Sequence, residues 1–270
     1  KIQESYVSGR TREAHKVIGA VKKKYQPKIS VIKDKRGVVL TQMDDVLRRW
    51  REYCEELYSD NHSQDAQLLQ ELEAITPPED QRTQDDILQA EVNKAVDKLK
   101  NRKGVGVDGI PGELLKASGD ATKRKIHELC NRVWKEEKVP EEWGKAILIT
   151  IPEKGDLLDC TNYRTISLVT HLSKILLNVI LERLKSETEE AISEEQAGFR
   201  SGRSTIQQTL SLRLIAEKYR EVDKQVFHCF IDFSKAFDLV WHEGLWQVLK
   251  SYGVNWKLIR VLRTLYEQAT

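Results

Sequence analysis

Apolar positions recur at intervals of three and four along much of this chain, the period that lays one stripe along an α-helix. Met43, Val46, Leu47, Trp50, Tyr53, Cys54 and Leu57 form the first stripe, with Thr41 placed to cap it and Asp44 three residues on. Val92, Ala95, Val96 and Leu99 predict a second helix. Ile126, Leu129, Cys130, Val133 and Trp134 predict a third, which must end before Pro140. The stripe Leu172, Ile175, Leu176, Val179, Ile180, Arg183 and Leu184 faces a core. Ser204 or Thr205 is placed to cap a helix bearing Ile206, Leu210 and Leu214. Leu245, Trp246 and Leu249 predict a helix stopped at Gly253, and Asn255 caps a last one with Leu258, Ile259, Leu262 and Leu265. Shorter apolar runs read as strands. Ile29–Ile32 and Val38–Leu40 flank a turn at Gly37, predicting a β-hairpin. Ala146–Ile151 and Tyr163–Val169 predict a longer one. Val226–Ile231, rich in β-branched and aromatic residues, predicts a buried strand with Asp232 at its end. Residues 59–83 are polar and carry Pro77-Pro78, which suits a linker containing a short helix from Leu68 to Ile75.

With 270 residues and 40% hydrophobic content, the chain can fill one large core or two modest ones. Charged residues make up 32% and mean hydropathy is −0.53. No apolar run approaches bilayer length and the start is not signal-like, so the reading is a globular protein with no membrane partner. Cys54, Cys130, Cys160 and Cys229 are scattered without zinc-type spacing, which predicts free thiols in a reducing, intracellular setting, nuclear and cytoplasmic. His228 beside Cys229 reads as strand packing. The net charge of +2 conceals an asymmetry: residues 1–36 hold eleven Lys or Arg against three acids, +8 in all, which leaves the remainder at −6. That basic arm fits either a phosphate-contacting element or a solvated helix face. The chain opens on Lys1, its only Met is Met43, and it closes at Thr270 after a periodic helix, so both ends read as cuts in a longer polypeptide.

Three segments carry candidate chemistry. Asp232, at the end of a rigid element, is a hard oxygen ligand suited to Mg²⁺, although an Asp there also forms turns and caps helices. Lys100-Asn-Arg-Lys-Gly-Val-Gly-Val-Asp-Gly-Ile-Pro111 is a donor-rich loop able to approach a phosphate backbone, or a plain interhelix connection. Glu195-Gln-Ala-Gly-Phe-Arg-Ser-Gly-Arg-Ser204 combines two Gly, two Arg and an aromatic, a composition suited to backbone and stacking contacts with nucleic acid.

Gly-Val-Asp-Gly-Ile-Pro (106–111), Trp143, Lys154-Gly-Asp, Asn162-Tyr-Arg-Thr-Ile-Ser-Leu168, Gln196-Ala-Gly-Phe-Arg200 and Ile231-Asp-Phe-Ser-Lys-Ala-Phe-Asp238 stand in an order that resembles the reverse transcriptases of non-LTR, LINE-type retrotransposons. The resemblance implies an α+β, right-hand polymerase fold: residues 1–60 a basic arm, hairpin and helix connector, 61–83 a linker, 84–215 fingers, and 216–270 a partial palm. It implies an RNA-directed DNA polymerase working on an RNA template, a DNA primer and dNTPs by two-metal nucleotidyl transfer with Mg²⁺. An endonuclease domain would lie upstream. By the same resemblance Asp232 is a catalytic, metal-binding carboxylate, joined at the metal by the backbone of Phe233. Phe233 and Ala236 would cradle the nucleotide, and Phe237 would stack under its sugar and exclude a 2′-OH. Lys154 and Arg164 would close over the triphosphate, and Gln196, Gly198, Arg200 and Arg203 would hold nucleic acid. Asp238 fits a helix cap or a partner for a nearby base.

The sequence departs from that pattern where Thr165 and Val107 replace a usual Pro, which frees a fixed φ at each site. No second block of aromatic-Ala-Asp-Asp follows Asp232 within the chain, so the metal site reads as incomplete and the chain as inactive alone. Two other readings share these residues: a nucleic-acid-binding protein derived from a retroelement and retained without catalysis, and a maturase-type RNA-splicing factor.

Overall fold

The computed structural model describes residues 31–59, 66–78 and 84–268. The chain divides into two compact units. The first holds the described residues up to Glu56 together with Pro152–Arg164. In it, β1 (Ile32–Lys33) and β2 (Val39–Leu40) pair antiparallel, Ile32 opposite Leu40. Gly37, at φ +84°, turns the chain between them, as its place in the sequence predicts. The helix α1 (Met43–Tyr58) follows, its last two residues, Leu57 and Tyr58, belonging to the second unit. Its buried side chains are Val46, Arg49 and Tyr53, and Trp50 sets its ring edge-on to Tyr163 at 5.1 Å. The Lys33 amide donates to the Leu158 carbonyl at 2.7 Å, and its ammonium pairs with Asp156. Ile32, Cys160 and Tyr163 complete this small core. Met43 and Leu47, predicted within the buried stripe, are exposed. Two-residue strands and one loop make too narrow a cover to bury a full helix face.

The second unit, Leu57–Ile151 with Thr165 onward, contains the main core. Its helices are α2 (Ala66–Ile75), α3 (Gln89–Lys98), α4 (Gly112–Lys116), α5 (Asp120–Glu136) and α6 (Glu141–Gly144), then α7 (His171–Thr188), α8 (Thr205–Glu221), α9 (His242–Ser251) and α10 (Trp256–Glu267). β3 (Ile147–Pro152) and β4 (Tyr163–Leu168) pair as a two-stranded sheet. α3 packs against α5 and α7, and α2 against α9. Val92, Val96, Cys130, Val133, Trp134, Ile175, Leu176, Ile180 and Leu258 are fully or almost fully buried, the stripes read from the sequence. Arg183 ties three elements together. It forks onto Glu91 at 2.7 and 2.8 Å, donates to the carbonyls of Asp85 and Asp86, and lies over the Trp134 ring at 4.9 Å. Ser204 and Asn255 cap α8 and α10 as predicted, their side chains accepting from the amides of Gln207 and Lys257.

The glycine loop is anchored from behind. A Cβ on Gly106 would stand 2.6 Å from the Thr170 amide nitrogen and 2.7 Å from the Val169 carbonyl carbon. The loop backbone therefore lies directly on the N-terminus of α7. His171 Nδ1 is 2.9 Å from the Ile110 carbonyl, so that nitrogen carries the proton and donates.

The strand predicted for Val226–Ile231 does not form. The segment has no regular secondary structure, and Phe227 is 89% exposed. His228 and Phe230, two residues apart, stack their rings at 6.2 Å. A strand is stabilised by a neighbour that takes up its amides and carbonyls, and no described segment runs alongside. Asp232 accordingly ends no rigid element. α8 buries none of its side chains.

Candidate nucleotide and nucleic-acid site

Lys154 and Arg164 flank a loop that side-chain hydrogen bonds fix in shape. Asp156 accepts from the Leu158 amide at 2.9 Å and Asp159 from the Thr161 amide at 2.9 Å. The Asn162 side chain donates to the Asp156 carbonyl, and the Glu153 amide to the Asn162 carbonyl. Gly155, at φ +119°, has the Asn162 side chain where a Cβ would be. The Asp156 carboxyl is held below its usual range by the Lys33 ammonium and the Leu158 amide. Lys154 is exposed and has no ion-pair or hydrogen-bond partner among the described residues. Arg164 pairs with Glu153 at 2.8 Å, both side chains facing water. A pair of that kind is weak, and a multiply charged phosphate competes with it effectively.

In the second unit, residues 189–204 fold around Arg200. Its side chain is only 10% exposed. One Nη donates to the Ser193 carbonyl at 2.8 Å and the other to Glu189 at 2.6 Å. Arg203 pairs with Glu194. The Gln196 amide reaches the Gly198 carbonyl at 3.4 Å, and both residues are exposed. Phe199 adopts a positive φ of 61° and meets Phe237 edge-on at 5.7 Å. The Gln196–Arg200 block and the Phe237 block, far apart in sequence, thus touch through two rings.

Asp232, Phe233 and Ala236 are exposed, and Asp232 has no hydrogen bond or ion pair among the described residues. After it the chain turns at Lys235, φ 49°, whose carbonyl accepts from the amides of Asp238 at 2.9 Å and Leu239 at 3.1 Å. Burial depresses the Lys235 ammonium's pKa, opposed by the nearby Asp238 carboxylate. Asp238 is half-buried and accepts from the Tyr58 phenol at 3.4 Å, and the same phenol lies 2.6 Å from Thr165 Oγ1. Nothing in the spacing of the sequence pointed to Tyr58, which follows the last apolar position of its helix, or to Glu189. Among the described residues no three His, Cys, Asp or Glu gather closely enough to hold a metal ion. Asp232 offers one open carboxylate oxygen pair, which suits a hard cation, but a pair of Mg²⁺ ions needs further anionic ligands that the described residues do not provide.

Residues 151–269 match the family described as reverse transcriptase (RNA-dependent DNA polymerase). The chain is 27% identical over 251 residues to the 149 kDa protein of transposon TX1 from Xenopus laevis, covering 92% of this chain and 19% of that one. It is 30% identical over 186 residues to the RNA-directed DNA polymerase from mobile element jockey of Drosophila funebris, covering 68% of this chain and 20% of the relative. It is 28% identical over 117 residues to the Pol polyprotein of the type-1 retrotransposable element R2 from Popillia japonica, 43% of this chain and 16% of the other. The chain spans about a fifth or less of the length of these relatives. The resemblance to LINE-type reverse transcriptases read from the ordered blocks is thereby shown. No helix among the described residues is long and apolar enough to cross a membrane.

Proposed function

We propose that this chain is a segment of a retrotransposon RNA-directed DNA polymerase, comprising connector, fingers and the start of the palm. The observation that carries the reading is the family match over residues 151–269, which includes the Lys154–Arg164 loop, the Gln196–Arg203 block and Asp232–Asp238. Lys154 and Arg164 are the triphosphate contacts, Arg164 exchanging Glu153 for a phosphate oxygen in bidentate fashion. Phe233 and Ala236 present backbone to the nucleotide, and Phe237 lies against C2′ of its sugar. Gln196, Gly198 and Arg203 face the template or primer backbone. Arg200 reaches a phosphate only by releasing Glu189, and otherwise holds the loop in shape.

Divalent metal use is general to reverse transcriptases, and Asp232 is the residue here that would give it a carboxylate ligand. That single carboxylate does not suffice for two ions, so no chemical step is assigned to this chain by itself. RNA template, DNA primer and dNTPs are the proposed partners. Primer extension on an RNA template tests the reading. Residues 1–270 alone are expected to incorporate no dNTP with Mg²⁺ or Mn²⁺, whereas a longer polypeptide carrying this segment together with the further acids is expected to extend primers and to stop doing so on Asp232→Asn. Templated incorporation by residues 1–270 that Asp232→Asn abolishes would overturn the view of an incomplete site. An extending polypeptide indifferent to Asp232→Asn would overturn the assignment of Asp232.

A further inference from the structure

The turn Ser234–Leu239 is held from two directions by side chains distant in sequence. Phe199 meets the Phe237 ring, and Tyr58, at the end of α1, meets the Asp238 carboxylate. Tyr58 also meets Thr165 on β4, at the shorter distance of 2.6 Å. The chemistry of the three groups fixes the direction of the hydrogen bonds. A carboxylate only accepts, so with the phenol O–H donating to Asp238 the phenol oxygen is left to accept from the Thr165 hydroxyl. The result is a chain Thr165 O–H to Tyr58 O–H to Asp238, in which each bond polarises the next. A residue without a side-chain donor at 165 could not complete it.

We infer that Tyr58, oriented by Thr165, is a positioning residue for nucleotide selection: it fixes Asp238 and so holds the neighbouring Phe237 ring at a set height. Phe237 is largely exposed, and the turn that carries it is closed by two backbone hydrogen bonds to the Lys235 carbonyl, which carries a positive φ. A ring on such a turn discriminates a sugar hydroxyl only if the turn is held against movement of a few tenths of an ångström. The Tyr58 bond supplies that restraint one residue from the ring. The inference rests on the proposed role of Phe237 as the sugar contact, and its test separates the two ideas.

Two measurements are needed. In the 270-residue chain, amide hydrogen exchange at Asp238 and Leu239 reports the turn directly. Tyr58→Phe and Thr165→Val are each expected to speed that exchange, and the double variant to speed it no further, because both remove the same relay. In a primer-extending polypeptide that carries this segment, either variant is expected to lower the dNTP-over-rNTP ratio of kcat/KM by about three- to tenfold, the factor that a typical net hydrogen bond is worth. The loss should appear in the KM for dNTP, with the thermal midpoint unchanged. Phe237→Val is the reference. If it leaves the ratio intact, the sugar-contact reading fails and selection through Tyr58 fails with it. If Phe237→Val lowers the ratio while Tyr58→Phe alters neither ratio nor exchange, the positioning role is overturned and the sugar contact stands.

Discussion

Phe237 and Arg183 show how differently two side chains can be tested at the scale of the residue. Replacing Phe237 by Val removes the ring face proposed to lie against C2′, and is expected to admit ribonucleotides in a polymerase carrying this segment. Unchanged discrimination in single-nucleotide incorporation would remove the role. Arg183 is a matter of stability. Its fork satisfies Glu91 and two loop carbonyls beside the buried Trp134, a planar pattern that Lys cannot reproduce. Arg183→Lys should therefore cost about 2–4 kcal/mol in denaturant unfolding. The same pair sets a pH dependence. Burial raises the Glu91 carboxyl, but the Arg183 fork and the Leu88 amide outweigh it, so its pKa in the folded protein lies below the usual value. A depressed carboxylate adds stability above its unfolded pKa, near 4.5, and that stability is lost as pH falls through the folded value. Acid unfolding midpoints measured between pH 6 and pH 3 should thus converge for the natural chain and Arg183→Lys. A constant gap between the two would assign the loss to packing instead. Residue type marked Asp232 as a candidate metal ligand, because hard cations favour carboxylates, whereas Lys154 and Arg164 entered only through the resemblance of the ordered blocks. Tyr58 and Glu189 were not legible, since each acts through a partner that only the fold brings near.

Among the elements, Gly106 offers the most direct check of how the glycine loop is seated. Its missing Cβ leaves room for the backbone at Val169 and Thr170, which cannot shift without moving the start of α7. Gly106→Ala should destabilise the second unit by about 1–3 kcal/mol, the usual range for overpacking, while Gly109→Ala meets no neighbouring atom and suffers only from its φ of +65°. Equal losses from the two substitutions would show that the loop does not rest on α7. Helices with a full stripe, such as α5 and α7, were legible because their period alone dictates a buried face. The run Val226–Ile231 was misread for a matching reason. Period and composition report that a segment can be a strand, whereas a strand exists only with a partner, and partners are not written in the local sequence.

For the whole molecule, the consequence is an uncovered apolar surface. Phe199, Ile206, Phe227, Phe230, Ile231, Phe233 and Phe237 are all more than three-quarters exposed. Surfaces of this kind associate, so light scattering of the 270-residue chain should rise steeply with concentration, and Phe227→Lys with Phe230→Lys should suppress it. Scattering indifferent to those changes would place the association elsewhere. The basic arm was expected over residues 1–36, but Ile32 is fully buried and Lys33 and Lys35 pair with Asp156 and Glu56, so those positions belong to the first unit; residues 1–30 lie outside the described ones. A deletion that spares the unit therefore ends at 30. It should flatten the log–log salt dependence of RNA binding by about 0.7 for each phosphate contact removed, and an unchanged slope would leave the arm as a solvated face. The unpaired run also carries Cys229, exposed, while burial pushes the Cys130 thiol up to about 12 and raises that of Cys160. Alkylation proceeds through the thiolate, so at mild alkalinity a maleimide should mark Cys229 well before either. The chain thereby contains its own footprinting probe: whatever comes to lie over 226–231, be it polypeptide, nucleic acid or a second copy, will announce itself as a slower label at one sulfur.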